Sequence, residues 1–315
     1  MNKLNLLKPA LKDYLWGGTR LMEEYGKRAE NMDIIAESWE LSSHPDGYSF
    51  IGDTNLYDFV HQHPEVLGSK CRGDDVPLLI KFIDARNPLS IQVHPDDEYA
   101  MKNENDKGKT EMWYIADADE DSYLYLGVRE AISKEEFTAR INDLTITDCL
   151  NKVPVKKGDV FLVKAGTIHA IGEGCLIVEI QERSNVTYRV YDYGRRDKEG
   201  NLRPLHIKKA FDVANLQPSA ISSVPEAVIK DDEQATVTLL EGCEYFHTYA
   251  YDVRKQVGFK VDDTSFCCLT MVRGNGTVSC GDEETELAQG QSLFIPADSG
   301  QVTIKGECEA LAAFL

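Results

Sequence analysis

The sequence predicts a mainly β protein in two barrel-like parts with a few helices, and three observations predict it. Apolar runs of strand length recur, a Ser/Pro-rich stretch divides the chain, and one glycine-led apolar pattern occurs on both sides of that stretch. The strand runs are PLLIKFID at 77–84, LSIQVH at 89–94, EMWYIAD at 111–117, YLYLGV at 123–128, DVFLVKA at 159–165 and CLIVEIQ at 175–181. Gly, Asp and Asn interrupt them, the punctuation of a sandwich or barrel core. Helical signals are fewer. Ser133 with Glu136 three residues on forms a capping box, and Phe137, Ile141 and Leu144 continue it as an apolar stripe. A second helix is expected around HIKKAFDVAN at 206–215. QPSAISSVPEA at 217–227 reads as a linker, which gives an N-terminal domain over 1–216, a linker over 217–230 and a C-terminal domain over 231–315.

The two parts look related. KKGDVFLVKAGTIHAI begins at Lys156 and AQGQSLFIPADSGQVTI at Ala288. With Gly158 set on Gly290, Phe161 falls on Leu293, Leu162 on Phe294, Val163 on Ile295, Ala165 on Ala297 and His169 on Gln301. A tight turn in MVRGNGTVSC at 271–280 matches a hairpin expected near DADEDSYLYL at 117–126, with the helix near 133–144 an addition in the first copy. Residues 158–169 resemble the second motif of the cupin family, G-x5-P-x-G-x2-H, with Lys164 where proline is usual. That resemblance implies two cupin-like (jelly-roll) β-barrels. The second carries Gln301 in place of a ligand, so only the first is expected to bind metal.

Composition bounds the function. At 315 residues, 42% hydrophobic and 28% charged, the chain can bury one large or two ordinary cores. No run of eighteen apolar residues and no charged-then-apolar leader appears, so neither a membrane span nor a secretory signal is expected. A net charge of −19 repels nucleic acid and anionic lipid, which removes both as expected partners. It also repels a phosphorylated substrate at long range, so such a substrate needs a local basic pocket. The eight cysteines, at 71, 149, 175, 243, 267, 268, 280 and 308, form no C-x-x-C pair. They read as reduced thiols of a cytoplasmic protein.

Three segments carry chemistry. In LSIQVH, strand alternation puts Leu89, Ile91 and Val93 on one face and Ser90, Gln92 and His94 on the other, spaced by about 6.5–7 Å. In GKTEMWY the same alternation pairs Lys109 with Glu111. In AGTIHAIGEG, His169 follows a glycine turn between apolar neighbours. Two histidines, a carboxylate and an amide make an N/O zinc site with room for water or substrate. Their separations are those of ligands gathered from different strands.

LSIQVHP, GKTEMWY, AGTIHAIGEG and SNVTYRVYDYGR resemble type I mannose-6-phosphate isomerases, in their short bacterial branch. WGGTRL at 16–21 and AESWELSSHPDG at 36–47 resemble that family's opening motifs. The resemblance covers most of residues 1–215 and implies a zinc-dependent interconversion of mannose 6-phosphate and fructose 6-phosphate through an enediol(ate), with a small-molecule sugar phosphate as partner. Carried over by position, it implies one Zn2+ on Gln92, His94, Glu111 and His169, substrate-binding Ser90 and Lys81, and catalytic Lys109 and Arg189. A zinc-bound hydroxide, Lys109 and another carboxylate all stand open as the base. Longer members often carry an aspartate at the position of Asn185 and a histidine at that of Gly108, so roles tied to those residues do not transfer. The alternatives are a cupin using iron or manganese for other chemistry and a sugar-binding cupin without turnover.

Overall fold

The computed structural model describes residues 2–71, 73, 75–196 and 199–315. All six strand runs are strands, and the protein is mainly β. The chain forms two compact units. Residues 1–12, 19–82 and 224–315 make the first, and residues 13–18 and 83–223 make the second. This division differs from the expected boundary at 216. The change at Ser223 does fall inside the expected linker, but the first eighty residues belong largely with the C-terminal part. The reason is strand pairing: Asn5–Lys8 lies antiparallel to Ser292–Ile295, with Asn5 opposite Phe294 and Leu6 opposite Leu293. Part of the linker is itself a strand, Ala227–Asp231.

In the first unit an eleven-stranded sheet is built around the long strands Cys267–Cys280 and Gly300–Phe314, which pair along most of their length. Its core is mostly Val, Ile, Leu, Cys and Ala, with Met271 and Tyr251, and includes Val278, Leu287, Leu293, Ile295, Val302, Ile304 and Ala310. The tight turn expected in 271–280 is absent. Gly274 and Gly276 instead let the backbone of residues 305–308 come close, and a Cβ on Gly274 would sit 2.6 Å from the Glu307 carbonyl oxygen. The matching hairpin at 117–126 is absent too, because the strands on either side of that turn join different sheets. The other half of the repeat holds in the backbone: Gly158 and Gly290 have φ of 88° and 84°. Gln301, however, is exposed, on the opposite side of its strand from core residues Val302 and Ile304. The interior of this barrel is apolar where a metal would sit.

The second unit contains eight whole strands, labelled here in chain order: β1 Ile91–Val93, β2 Glu111–Ala118, β3 Tyr123–Val128, β4 Leu150–Pro154, β5 Val160–Val163, β6 His169–Ile171, β7 Cys175–Glu182 and β8 Tyr188–Tyr191. They form an antiparallel sheet in the order β4-β3-β6-β1-β8 and an antiparallel group β5-β2-β7. Three helices, α1 Asp97–Asn103, α2 Lys134–Asn142 and α3 Ile207–Val213, belong to this unit. Ser133 caps α2, its hydroxyl accepting from Glu136 N at 3.1 Å. Phe137 and Ile141 of α2 and Ala210 of α3 pack with Ile91, Val93, Tyr188 and Val190 on the outer face of the five-stranded sheet. Leu144, expected in the helical stripe, lies past the helix end with φ of 59° and is 62% exposed. All eight cysteines are free thiols, and no helix among the described residues is long and apolar enough to cross a membrane.

Candidate metal centre

The inner face of the five-stranded sheet carries a polar row. Gln92 in β1 stands directly opposite both His169 in β6 and Arg189 in β8. Opposed residues share a face, so the three side chains line up across the sheet. His94 follows two residues after Gln92 on the same side. Gly166, with φ of 84°, donates its N–H to the His94 carbonyl at 2.8 Å and so ties the turn before His169 to β1. The facing group supplies Glu111, the first residue of β2, opposite Val163 and Gln181.

The Glu111 carboxylate joins the two histidines. Its Oε2 lies 3.7 Å from His94 Nε2 and its Oε1 3.3 Å from His169 Nε2. One ligand atom from each of the three lies within 4.8 Å of the others, and all three residues are buried. His94 Nδ1 donates to the Val186 carbonyl and His169 Nδ1 to the Thr167 carbonyl, each at 2.8 Å. A carbonyl can only accept, so each Nδ1 carries a proton and each Nε2 is directed at the cluster. Burial pushes the His169 pKa down to about 4, which keeps its ring neutral. The Gln92 amide lies 3.4 Å from His169 Nε2. A half-turn of that amide presents its oxygen to the same place.

These donors fit a zinc ion: two imidazoles oriented by backbone carbonyls, one carboxylate and one amide. Among the described residues no second group of three His, Cys, Asp or Glu side chains comes close enough to hold a metal.

The remaining predicted residues are placed as follows. Lys109 Nζ lies 2.8 Å from Glu111 Oε2 and 3.6 Å from Glu179 Oε1. Arg189 Nε donates to Ser90 Oγ at 3.2 Å, and its Nη1 donates to the Pro204 carbonyl at 3.0 Å. Burial and the neighbouring Arg203 guanidinium lower its pKa. Arg203 and Arg195 both pair with Asp192. Lys81 lies in the first unit, its ammonium 3.8 Å from Glu37 and 5.0 Å over the Trp39 ring. Gly108 has no room for the histidine of longer relatives, since a Cβ there would meet Asp97 N at 2.4 Å and Asp96 C at 2.5 Å.

Sequence reasoning missed Glu179 and Trp113. Trp113 stands opposite Glu179, donates to its Oε2 at 3.0 Å, and meets the His169 ring edge-on at 5.4 Å. The available signal was a carboxylate inside the apolar run CLIVEIQ, because a charge in a strand buried on both faces needs partners.

Comparison with known proteins identifies the family. Residues 4–110 match the family model "Phosphomannose isomerase type I, catalytic domain", and residues 235–315 match "Mannose-6-phosphate isomerase, cupin domain". The probable mannose-6-phosphate isomerase GmuF of Bacillus subtilis is 37% identical over 309 residues, covering 96% of each chain. The mannose-6-phosphate isomerase of Streptococcus mutans is 34% identical, covering 98% of this chain and 96% of its own. The crystal structure of the mannose 6-phosphate isomerase from Bacillus subtilis superimposes with a TM-score of 0.92 at 33% identity over the whole of both chains. The chain belongs to the type I mannose-6-phosphate isomerases, a family of aldose–ketose isomerases with the cupin fold.

Proposed function

We propose that this chain interconverts mannose 6-phosphate and fructose 6-phosphate, with one zinc ion on His94, Glu111, His169 and Gln92 inside the barrel of the second unit. The observation that carries the reading is the buried His94–Glu111–His169 cluster, both Nε2 atoms directed at the carboxylate and Lys109 in contact with it. Moving a proton between C1 and C2 through an enediol(ate) puts negative charge on oxygen. Zinc, when bound, supplies Lewis-acid polarisation of a substrate oxygen. Arg189, held by Ser90 and Pro204, is a fixed two-pronged donor for the charge that develops there. Lys109 Nζ, in contact with Glu111 and 3.6 Å from Glu179, is our candidate to carry the proton between the two carbons. Arg195 and Arg203 extend the positive field toward the phosphate.

A coupled assay of mannose 6-phosphate turnover, run beside elemental analysis, tests this. We expect one zinc per chain, loss of turnover on chelation and recovery on adding zinc. His94→Ala and His169→Ala should lose metal and turnover while keeping a native circular dichroism spectrum, because the sheet's core lies on its other face. Full turnover without metal would sink the reading, and iron or manganese in place of zinc would return the site to another cupin chemistry.

A further inference from the structure

Arg189 lies on β8, at the edge of the five-stranded sheet, so the main-chain groups on its outer side need partners from outside the sheet. Its pairing with β1 also slips between Arg189 and Tyr191, a bulge of the kind that re-aims a side chain. Residues 203–206 cover this edge. Arg203 Nε donates to Asp192 Oδ2 at 2.7 Å, and the Pro204 carbonyl accepts from the Arg189 guanidinium at 3.0 Å. His206 takes both main-chain groups of Arg189. Its own N–H donates to the Arg189 carbonyl at 2.7 Å, and its ring Nδ1 accepts from the Arg189 N–H at 3.2 Å. The chain then runs directly into α3, whose Ala210 is fully buried in the core behind the sheet, so a packed helix holds the histidine in place.

A main-chain N–H can only donate, so Nδ1 of His206 offers its lone pair and the proton of the neutral ring sits on Nε2. His94 and His169 are the reverse, with a proton on each Nδ1. Protonating His206 would set a second N–H against that of Arg189 and end the bond. The surroundings oppose this. Burial, the Arg189 guanidinium and Lys209 on α3 push the His206 pKa below its usual value, against the pull of Glu104 just beyond α1. Tyr188 on β8 faces the ring at 6.3 Å and donates its own hydroxyl to Glu104 at 2.7 Å. Lys209 also donates to Glu104, at 2.6 Å.

We propose that His206 is the positioning residue for Arg189: its neutral ring and its main chain together fix the edge strand where the guanidinium is aimed. Turnover then depends on a histidine that lies outside the metal cluster. The hydrogen bond is a feature of the fold, and its effect on turnover rests on the role proposed above for Arg189.

The test uses the metal-loaded full chain and measures mannose 6-phosphate kinetics against pH, zinc content, and the ring nitrogen NMR shifts of labelled histidine. His206→Asn sets an amide oxygen where Nδ1 stood and cannot titrate; His206→Leu removes the acceptor at similar size. His206→Leu should keep its zinc and lose about tenfold in kcat, and His206→Asn should recover most of that loss. The acid limb of the wild-type kcat should coincide with titration of the His206 ring and be absent from His206→Asn, a change that a merely structural role would not produce. Wild-type kcat in His206→Leu, a neutral His206 with its proton on Nδ1, or a His206→Asn variant no better than His206→Leu overturns the assignment. If His206→Leu does not fold, the ring shifts and the pH profile of His206→Asn decide. A wild type without turnover whose neutral His206 carries its proton on Nε2 would uphold the hydrogen bond and count against the isomerase reading.

Discussion

His94 and His169 arrive from different strands, yet a backbone carbonyl fixes the same tautomer in each. The face that carries them was legible in LSIQVH, because a period of two is a local property of the chain. Ile91 and Val93 do go to the outer core and Gln92 to the polar row. The Thr167 and Val186 carbonyls were not legible, since every residue has a carbonyl and only folding selects one. Arg189 tests the division between holding metal and stabilising charge. Its guanidinium is braced at two nitrogens, a geometry that a lysine point charge cannot reproduce. Arg189→Lys should keep its zinc and lose about 10²–10³-fold in turnover. Lys109→Met should also keep its zinc, with the loss in kcat if Nζ carries the proton and in KM if it only binds phosphate. Zinc content beside steady-state kinetics decides both. Wild-type turnover in Arg189→Lys would remove that residue from the catalytic set.

Elements were read with uneven success, and the misses share a cause. The capping box at Ser133 and Glu136 is local chemistry and starts α2 where expected. Leu144 fits the helical spacing but lies past the end of the helix, because a period does not say where a helix stops. RGNG at 273–276 has the composition of a turn. Its glycines serve instead the close approach of a neighbouring strand, which no local pattern reveals. Gly108 is the same case beside the metal centre. Its N–H donates to Asp97 Oδ1 at 2.8 Å, at the start of α1, and a methyl group would overlap the α1 backbone. Gly108→Ala should therefore cost about 1–3 kcal/mol and displace the neighbouring Lys109, lowering turnover with stability. A urea midpoint and an assay check it; an unchanged midpoint would show that the loop yields without cost.

For the molecule as a whole, one buried acid couples stability to pH from beside the centre, outside its ligand set. Glu182 is buried and accepts from Thr110 N at 2.7 Å. Burial nevertheless pushes its carboxyl up to about 7 from 4.5. The folded state therefore holds this proton more tightly than the unfolded chain. Its stabilising contribution is complete below about pH 4.5 and is lost as pH rises through about 7. At about 1.4 kcal/mol per unit the whole effect is at most about 3 kcal/mol. Glu182→Gln keeps an acceptor for Thr110 and cannot ionise, so its urea midpoint should change less between pH 5 and pH 8 than that of the wild type. Equal slopes would show that Glu182 is already solvated when charged.

What the sequence determined by itself was whatever a single strand or turn can specify: the β character of the chain, the inward face of LSIQVH, the helix start at Ser133, and the residue types able to hold zinc. The tertiary structure alone decided the register that sets Gln92 between His169 and Arg189, the recruitment of Glu179 and Trp113, and the joining of Asn5–Lys8 to a strand almost three hundred residues away. Side-chain alternation repeats every two residues and is written in the nearest neighbours. Pairing between distant strands depends on the summed burial of whole faces, and no short segment contains that sum.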